Sequence, residues 1–251
     1  MNLTDNSFWD NYWKNLKIPA GIDLNFSFER CLAKSFSEIL SVNPNLSLFE
    51  IGCAPGKWLT YFHKKFGYNV VGIDNSDVGC QKTRENFEKQ GIRGKIYQAD
   101  FLEFTPPEKY DIVLSLGVIE HFENQYLAVE QHLKWLKPNG KLIIGMPNFR
   151  GANYLIQKKI DKNLLKRHNL KIMSRQFYCN LARKFDLVCL FVKYVGGFEP
   201  ALFVNLQKKH FVLRIIIKLV HFLRRYRCFD GFNTPFFSSY LLGAFVRNRI
   251  G

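Results

Sequence analysis

The chain has 251 residues and a mass of 29.4 kDa, and its 47% apolar and 23% charged residues exclude an intrinsically disordered protein. It has no run of about 18 apolar residues that would predict a simple membrane-spanning helix, and its polar, acidic N-terminus does not resemble a secretory signal. Six cysteines without CxxC spacing argue against a structural zinc site and a disulfide framework, so we expect a reduced, cytoplasmic protein.

The net charge of +15 lies entirely in the second part of the chain. Residues 1–150 carry 17 basic and 17 acidic side chains, whereas residues 151–251 carry 19 basic and 4 acidic ones. A neutral first part suits a small-molecule site. The basic second part suits an anionic partner, or it is simply a solvated basic face.

Before the first strand, the segment 1–42 contains an aromatic arm followed by a helix. Helical spacing places Trp9, Tyr12 and Trp13 on one face, next to Phe8. Two interpretations remain open: the arm anchors to the core, or it is a lid that excludes water from a ligand.

Five short apolar runs then predict strands, at 46–52, 69–74, 94–99, 110–116 and 141–147. The stretches between them predict helices at 56–66, 77–90 and 125–137. This alternation predicts right-handed βαβ units and a parallel sheet that is covered on both faces.

The regular alternation ends after residue 150. Residues 151–171 are polar, basic and poorly periodic, and they are followed by a predicted helix at 174–184 and a predicted strand at 186–195. A long basic amphipathic helix at 202–228 and a last strand at 238–247 complete the chain.

The sharpest motif is the loop from Glu50 to Gly56, with the sequence EIGCAPG, between the first strand and its helix. Small residues allow a sharp turn and close approach of a ligand, and the N–H groups of the following helix favour a negative group. Asp74 ends the second strand, where a carboxylate can bind a ribose diol. The dinucleotide pattern GxGxxG fails at Ala54 and Lys57, which disfavours NAD and FAD.

These residues resemble the class I S-adenosylmethionine-dependent methyltransferases. The resemblance rests on ExGxxxG after the first strand, an acid ending the second, and Asp100-Phe101 after the third. YDIV at 110–113 and LKPNG at 136–140 continue the pattern in the right order. It covers residues 45–150 closely and departs at Ala54, where the family usually has glycine.

The resemblance implies a Rossmann-like α/β fold with a doubly wound, seven-stranded, mostly parallel sheet in the order 3-2-1-4-5-7-6. The methyltransferase domain would span residues 43–251, with a variable cap region at 148–173 and the basic amphipathic helix inserted before the last strand. The cofactor would be S-adenosyl-L-methionine.

The same resemblance assigns cofactor roles to eleven residues. Backbone near the methionine moiety would come from Gly52, Cys53, Ala54 and Gly56, with Glu50 orienting the loop or meeting the amino group through water. Asp74 would hold the ribose beside Asn75. Asp100 would accept from the adenine amino group, Phe101 would pack on the ring, and Leu116 and Gly117 would lie near the sulfonium.

The candidate catalytic residue is His121, in the sequence GVIEHF after the fourth strand. This stretch lies at the carboxyl edge of the predicted sheet, where open α/β sheets bind ligands, and histidine has a suitable intrinsic pKa for a base. The alternative is a structural or pocket-lining histidine. No His/Asp cluster has ligand spacing in the sequence, so no metal is expected.

We therefore expect a methyltransferase for a small or lipid-linked acceptor, with O-methylation of a sugar, glycolipid or quinone-like compound ranked first. An RNA methyltransferase that uses the basic half is the alternative enzyme, and a non-catalytic S-adenosylmethionine-binding partner protein is the alternative class. The helix at 202–228 either lies on an anionic membrane surface, at the inner face of the membrane, or packs on the sheet.

Overall fold

The core of the protein is one seven-stranded sheet. A computed structural model describes residues 3–203, 215, 218–220, 222–223, 225–227 and 230–248. The strands are β1 (Ser47–Ile51), β2 (Asn69–Asp74), β3 (Gly94–Gln98), β4 (Tyr110–Leu116), β5 (Leu136–Pro147), β6 (Leu187–Val195) and β7 (Tyr240–Arg247). Their order is β3-β2-β1-β4-β5-β7-β6, with β7 antiparallel to both neighbours and the first five strands parallel. The predicted fold class and strand order are confirmed.

Eight α-helices whose bounds lie within the described residues accompany this sheet. They are α1 (Asn6–Lys14), α2 (Ser27–Ser37), α3 (Lys57–Phe66), α4 (Asp77–Gln90), α5 (Gln125–Lys134), α6 (Gly151–Ile160), α7 (Lys162–Lys166) and α8 (Arg175–Lys184). The helix α5 ends before the predicted residue 137, because Leu136 already pairs with Tyr110 at the start of β5.

Both faces of the sheet are buried, as expected for a parallel sheet between helices. Along β5, Leu142 and Ile144 belong to one apolar cluster, whereas Ile143 belongs to the other. Side chains of α5 and α8 pack in the first cluster and side chains of α2 and α3 in the second. The carboxyl ends of the central strands are therefore held rigidly between two layers.

The stretch 151–171, which lacks apolar periodicity, forms α6, α7 and a short 3-10 turn. The pattern was hidden because α6 buries amides: Asn153 and Gln157 are its buried residues. The side chain of Asn153 donates to the carbonyls of Asn148 and Ser238, which fastens α6 beside the end of β5.

The predicted helix at 202–228 lies largely outside the described residues. Its predicted first residue, Leu202, belongs to a 3-10 turn at Pro200–Leu202, and residues 215, 218–220 and 222–223 are helical. Among the helices of the described residues, none is long and apolar enough to cross a membrane. The five described cysteines are free thiols.

Candidate active site

A cavity of about 350 Å³ opens at the carboxyl ends of β1, β2 and β4. Eight of the twelve predicted site residues line it: Gly52, Ala54, Asp74, Asn75, Phe101, Leu116, Gly117 and His121. The other four, Glu50, Cys53, Gly56 and Asp100, do not. Further lining residues come from α1 and from the segment after α7, and these were not singled out as ligand contacts by their sequence pattern.

The loop between β1 and α3 forms one wall of the cavity. Gly52 has a left-handed φ of 70°, and a Cβ atom there would lie 2.6 Å from Cγ2 of Val118 on the opposite wall. Gly56, also left-handed at 79°, begins α3. Glycine at both positions lets the backbone turn and leaves room for a ligand next to it.

The side chains of Glu50, near the end of β1, and Cys53, in this loop, are buried, but they do not line the cavity. Burial raises the pKa of Glu50 well above its ordinary value, although Lys57 opposes the shift, and one carboxylate oxygen of Glu50 has no hydrogen-bond partner among the described residues. Burial, with the nearby acids Asp74 and Glu50, raises the pKa of the Cys53 thiol as well. Cys53 is therefore a neutral packing residue behind the loop.

Asp74 is the acid that lines the cavity next to the β1–α3 loop. It is buried, and its two oxygens accept hydrogen bonds from the backbone N–H groups of Ser76 at 2.9 Å and Ala54 at 3.1 Å. Burial raises its pKa despite these bonds. Each oxygen keeps a second lone pair, so the carboxylate can accept two hydroxyl groups of a ligand.

Of the next predicted pair, Phe101 lines the cavity and Asp100 does not. Phe101 is buried against Phe122 and His132, with ring centroids 5.4 and 5.5 Å away, and it lines the cavity. One oxygen of Asp100 accepts from the N–H of Leu102 at 2.9 Å, within its own turn. Its role toward adenine stays a prediction.

The helix α1 forms the roof of the cavity. The side chain of Asn75 donates to Asn6 at 2.7 Å on the cofactor side, and the N–H of Leu3 donates to the carbonyl of His121 at 2.7 Å on the other side. Trp9 packs edge-on against His121, with 5.1 Å between ring centroids. The Nε1 atom of Trp13 is buried at the cavity wall without a hydrogen-bond partner among the described residues, which leaves a donor for a ligand.

Opposite the loop, His121 lies beside Glu120 and His168. Its Nδ1 is 2.8 Å from the carbonyl oxygen of Arg167, so Nδ1 carries the proton and Nε2 the lone pair. Burial, together with the charges of His168 and Arg167, lowers the pKa of His121 to about 3. Burial also raises the pKa of Glu120 to about 8.

His168 was missed by sequence reasoning. It lies 47 residues after His121, in the stretch that has no apolar periodicity, and α7 brings its ring to 4.6 Å from that of His121. No local spacing signals this pairing. Likewise, the sequence indicates Trp13 only as part of an aromatic face and does not indicate that its Nε1–H lies at the cavity wall.

Comparison with known proteins assigns this site to a family. Residues 48–140 match the family model described as a methyltransferase domain. These matched residues form a methyltransferase domain of the class I, S-adenosylmethionine-dependent type. Its β1–α3 loop, Asp74 and Phe101 lie inside the matched residues, and S-adenosylmethionine is the cofactor of the class.

The methyltransferase domain has curated relatives that act on different atoms. Phosphoethanolamine N-methyltransferase 1 of Zea mays is 30% identical over 145 residues, covering 51% of this chain and 27% of the relative. The ubiquinone biosynthesis O-methyltransferase of Rickettsia conorii is 27% identical over 125 residues, covering 50% and 43%. The chain thus spans less than half the length of these curated relatives.

Solved structures share the whole fold at low identity. Geranyl diphosphate C-methyltransferase of Streptomyces coelicolor has a TM-score of 0.63 at 17% identity, covering 96% of this chain and 97% of that one. The S-adenosylmethionine-dependent methyltransferase of Thiobacillus denitrificans, in complex with S-adenosyl-L-homocysteine, has a TM-score of 0.61 at 15% identity, covering 99% and 100%. The cyclase SpnF reaches 0.63 at 14% identity, covering 99% and 96%, so the fold by itself does not specify the reaction.

Proposed function

We propose that the protein transfers the methyl group of S-adenosylmethionine to an oxygen atom of a small or lipid-linked acceptor, such as a sugar, a glycolipid or a quinone-like ring. One observation carries the proposal: the β1–α3 loop, Asp74 and His121 line a single cavity under α1. Cofactor and acceptor groups on opposite walls of one cavity allow the in-line approach that methyl transfer requires.

The residues present fit the cofactor. Asp74 would accept the ribose hydroxyls beside Asn75, and Phe101 would pack on the adenine ring. Asp100, which does not line the cavity in this structure, would accept from the adenine amino group. Gly52 and Ala54 would approach the methionine moiety through their backbone, while Leu116 and Gly117 would lie near the sulfonium. Glu50, Cys53 and Gly56 shape the loop behind them. Bound S-adenosylmethionine supplies a methyl group on a positively charged sulfur.

His121 is the proposed base for the acceptor hydroxyl. The carbonyl of Arg167 fixes the Nδ1–H tautomer, so the lone pair of Nε2 is available to receive a proton. The pKa of about 3 keeps the ring neutral at pH 7 but also makes it a weak base, so the proton would have to move as the methyl group is transferred and the hydroxyl becomes more acidic. The nearest carboxyl oxygen of Glu120 lies 3.9 Å from Nε2, but because burial raises the pKa of Glu120 to about 8, this group is protonated at pH 7 and places no negative charge beside the ring.

The aromatic roof would keep water away from the reacting groups. Trp9 and Trp13 of α1 both line the cavity, and Trp9 touches the ring of His121. A dry site strengthens the electrostatic interactions with the sulfonium and prevents its hydrolysis.

The decisive experiment is transfer of labelled methyl from S-adenosylmethionine into a host-cell extract that is separated into lipid, RNA, protein and small-molecule fractions. Label in the lipid or small-molecule fraction would support the proposal. With an acceptor in hand, His121→Ala should lower turnover at least about tenfold while cofactor affinity stays within about threefold. Unchanged turnover in His121→Ala would remove the base assignment.

Label in the RNA fraction would instead favour an RNA methyltransferase, which the basic second part of the chain keeps as the second candidate. Cofactor binding without transfer to any fraction would favour a non-catalytic binding protein.

We further propose that the basic C-terminal part contacts an anionic membrane surface, where it would meet a lipid-linked acceptor. Large apolar side chains are exposed there among the basic residues, including Ile215, Leu219 and Phe222 at 53%, 55% and 53% exposure. Apolar and basic side chains together are typical of segments that lie in a membrane interface.

A further inference from the structure

We propose that Glu120, His121 and His168 bind one divalent transition-metal ion, with Zn²⁺ the best fit to the ligand types, in the wall of the acceptor cavity. One carboxylate oxygen and two imidazole nitrogens from these residues lie within 4.8 Å of one another. All three residues line the cavity. Two imidazoles and one carboxylate with open positions are a recurrent ligand set for catalytic zinc and iron.

The carboxyl group of Glu120 is fully buried, and neither of its oxygens has a hydrogen-bond partner among the described residues. Buried carboxyl groups are normally hydrogen-bonded, paired with a charge or bound to a metal. Glu120 lines a cavity that is also lined by the two imidazoles of His121 and His168.

The two histidines are oriented as metal ligands are. Nδ1 of His121 donates to the carbonyl of Arg167 at 2.8 Å, and Nδ1 of His168 donates to the carbonyl of Leu164 at 2.8 Å. Backbone bonds of this kind fix the tautomer and leave Nε2 unprotonated for the metal. The same two rings lie only 4.6 Å apart between centroids.

A small closure of the side chains would complete the geometry. Zinc binds nitrogen and oxygen at about 2.0–2.2 Å, which puts neighbouring ligand atoms about 3–3.5 Å apart. Nε2 of His121 and the nearest oxygen of Glu120 are now 3.9 Å apart. Rotations that move each ligand atom by less than about 1 Å would bring the set to bonding distance around one ion.

A metal here would give the acceptor oxygen a binding position, and this part of the inference rests on the proposed function. The metal would lower the pKa of a bound hydroxyl, whose proton would leave through the open side of the cavity to the solvent before the roof excludes water. The oxygen lone pair then forms a bond to the methyl carbon while the carbon–sulfur bond breaks and its electrons return to sulfur. Because the metal occupies Nε2, His121 would act as a ligand in this mechanism and not as the base.

Cobalt binding to the full chain tests the site directly. Protein freed of metal with a chelator is titrated with Co²⁺, whose visible absorption reports nitrogen and oxygen ligands in a low-coordinate site. We expect one Co²⁺ per chain, displaced by Zn²⁺. Glu120→Gln and His168→Gln should each weaken binding at least about tenfold.

The matched control is His63→Gln, because Nδ1 of His63 also bonds a backbone carbonyl, that of Tyr68, at 2.9 Å, yet His63 does not line the cavity. Equal Co²⁺ affinity in His168→Gln and His63→Gln would overturn the proposal, as would a titration of the wild type without visible bands. The wild-type titration needs no variant to fold.

Two further measurements separate this inference from the proposed function. Calorimetry with S-adenosyl-L-homocysteine tests the cofactor site alone, and its failure would remove the methyltransferase proposal while leaving the Co²⁺ result intact. Full methyl transfer by chelator-treated protein would overturn the acceptor-activating role of the metal and return proton removal to His121.

Discussion

Substitutions at Gly52 and Gly91 can distinguish the effect of backbone strain from the effect of crowding at the cofactor loop, because both glycines have similar positive φ values. Gly52 and Gly91 have φ values of 70° and 67°. A Cβ atom at position 52 would lie 2.6 Å from Cγ2 of Val118, whereas one at position 91 would meet nothing within 4 Å. Alanine at either position should cost about 1–2 kcal/mol for the left-handed conformation. Only at position 52 does it also push two cavity walls apart.

We therefore expect Gly52→Ala to weaken binding of S-adenosyl-L-homocysteine at least about tenfold, because the loop must move away from the ligand. Gly91→Ala should lower the melting temperature and leave the affinity unchanged. Calorimetric titration and thermal melts of both variants check this. Equal affinities in the two variants would mean that the loop does not contact the cofactor.

For individual residues, whether the sequence predicts a place in the site depends on whether the residue directly follows a strand. Asp74 and Phe101 were found because each directly follows a strand, and parallel strands end at one edge of the sheet. His168 and the Trp13 donor come from segments outside the strand–helix alternation. Their approach to His121 and the loop depends on how α7 and α1 pack, which local spacing does not encode.

Among the elements, α1 joins the two halves of the cavity. It has no fully buried residue, it packs against α4, and it is fixed at both ends of the cavity through Asn75 and the carbonyl of His121. Few of its contacts are with the two apolar clusters of the sheet. These features favour a lid over a core anchor.

Deleting residues 1–18 should accordingly weaken cofactor affinity about tenfold or more, because the Trp13 donor and the roof are lost. The sheet should still unfold cooperatively, with a modest loss of melting temperature. Calorimetry and circular dichroism provide the two readouts. A collapsed melting transition would show that α1 anchors the core.

The sheet was more predictable than the helices that cap it. Each strand of the parallel part is a continuous apolar run, since both of its faces are buried, and such runs stand out in the sequence. The helix α6 buries the amides of Asn153 and Gln157, which bond backbone carbonyls near the end of β5 and at the end of the helix. Polar residues satisfied by tertiary hydrogen bonds leave no apolar periodicity to detect.

For the whole molecule, the separation of charge predicts a division of labour. The neutral part, residues 1–150, supplies the β1–α3 loop, Asp74, Phe101 and His121, whereas the basic part combines 19 positive charges with exposed apolar side chains. The exposed side chains of Leu219 and Phe222 beside these charges favour an interaction surface over a basic face that is only solvated.

Sedimentation with vesicles tests this division. The protein should bind vesicles that contain anionic lipid, bind neutral vesicles weakly, and dissociate as salt rises, because the attraction is screened. The double substitution Leu219→Ser and Phe222→Ser should weaken binding about tenfold or more, since two side chains lose their transfer from water to the interface. Val42→Ser is the matched control, because Val42 is 70% exposed but lies in the neutral part. Equal weakening by Val42→Ser and by the double substitution would contradict the membrane contact. Salt-sensitive binding to RNA in preference to vesicles would indicate that the basic part binds a nucleic acid.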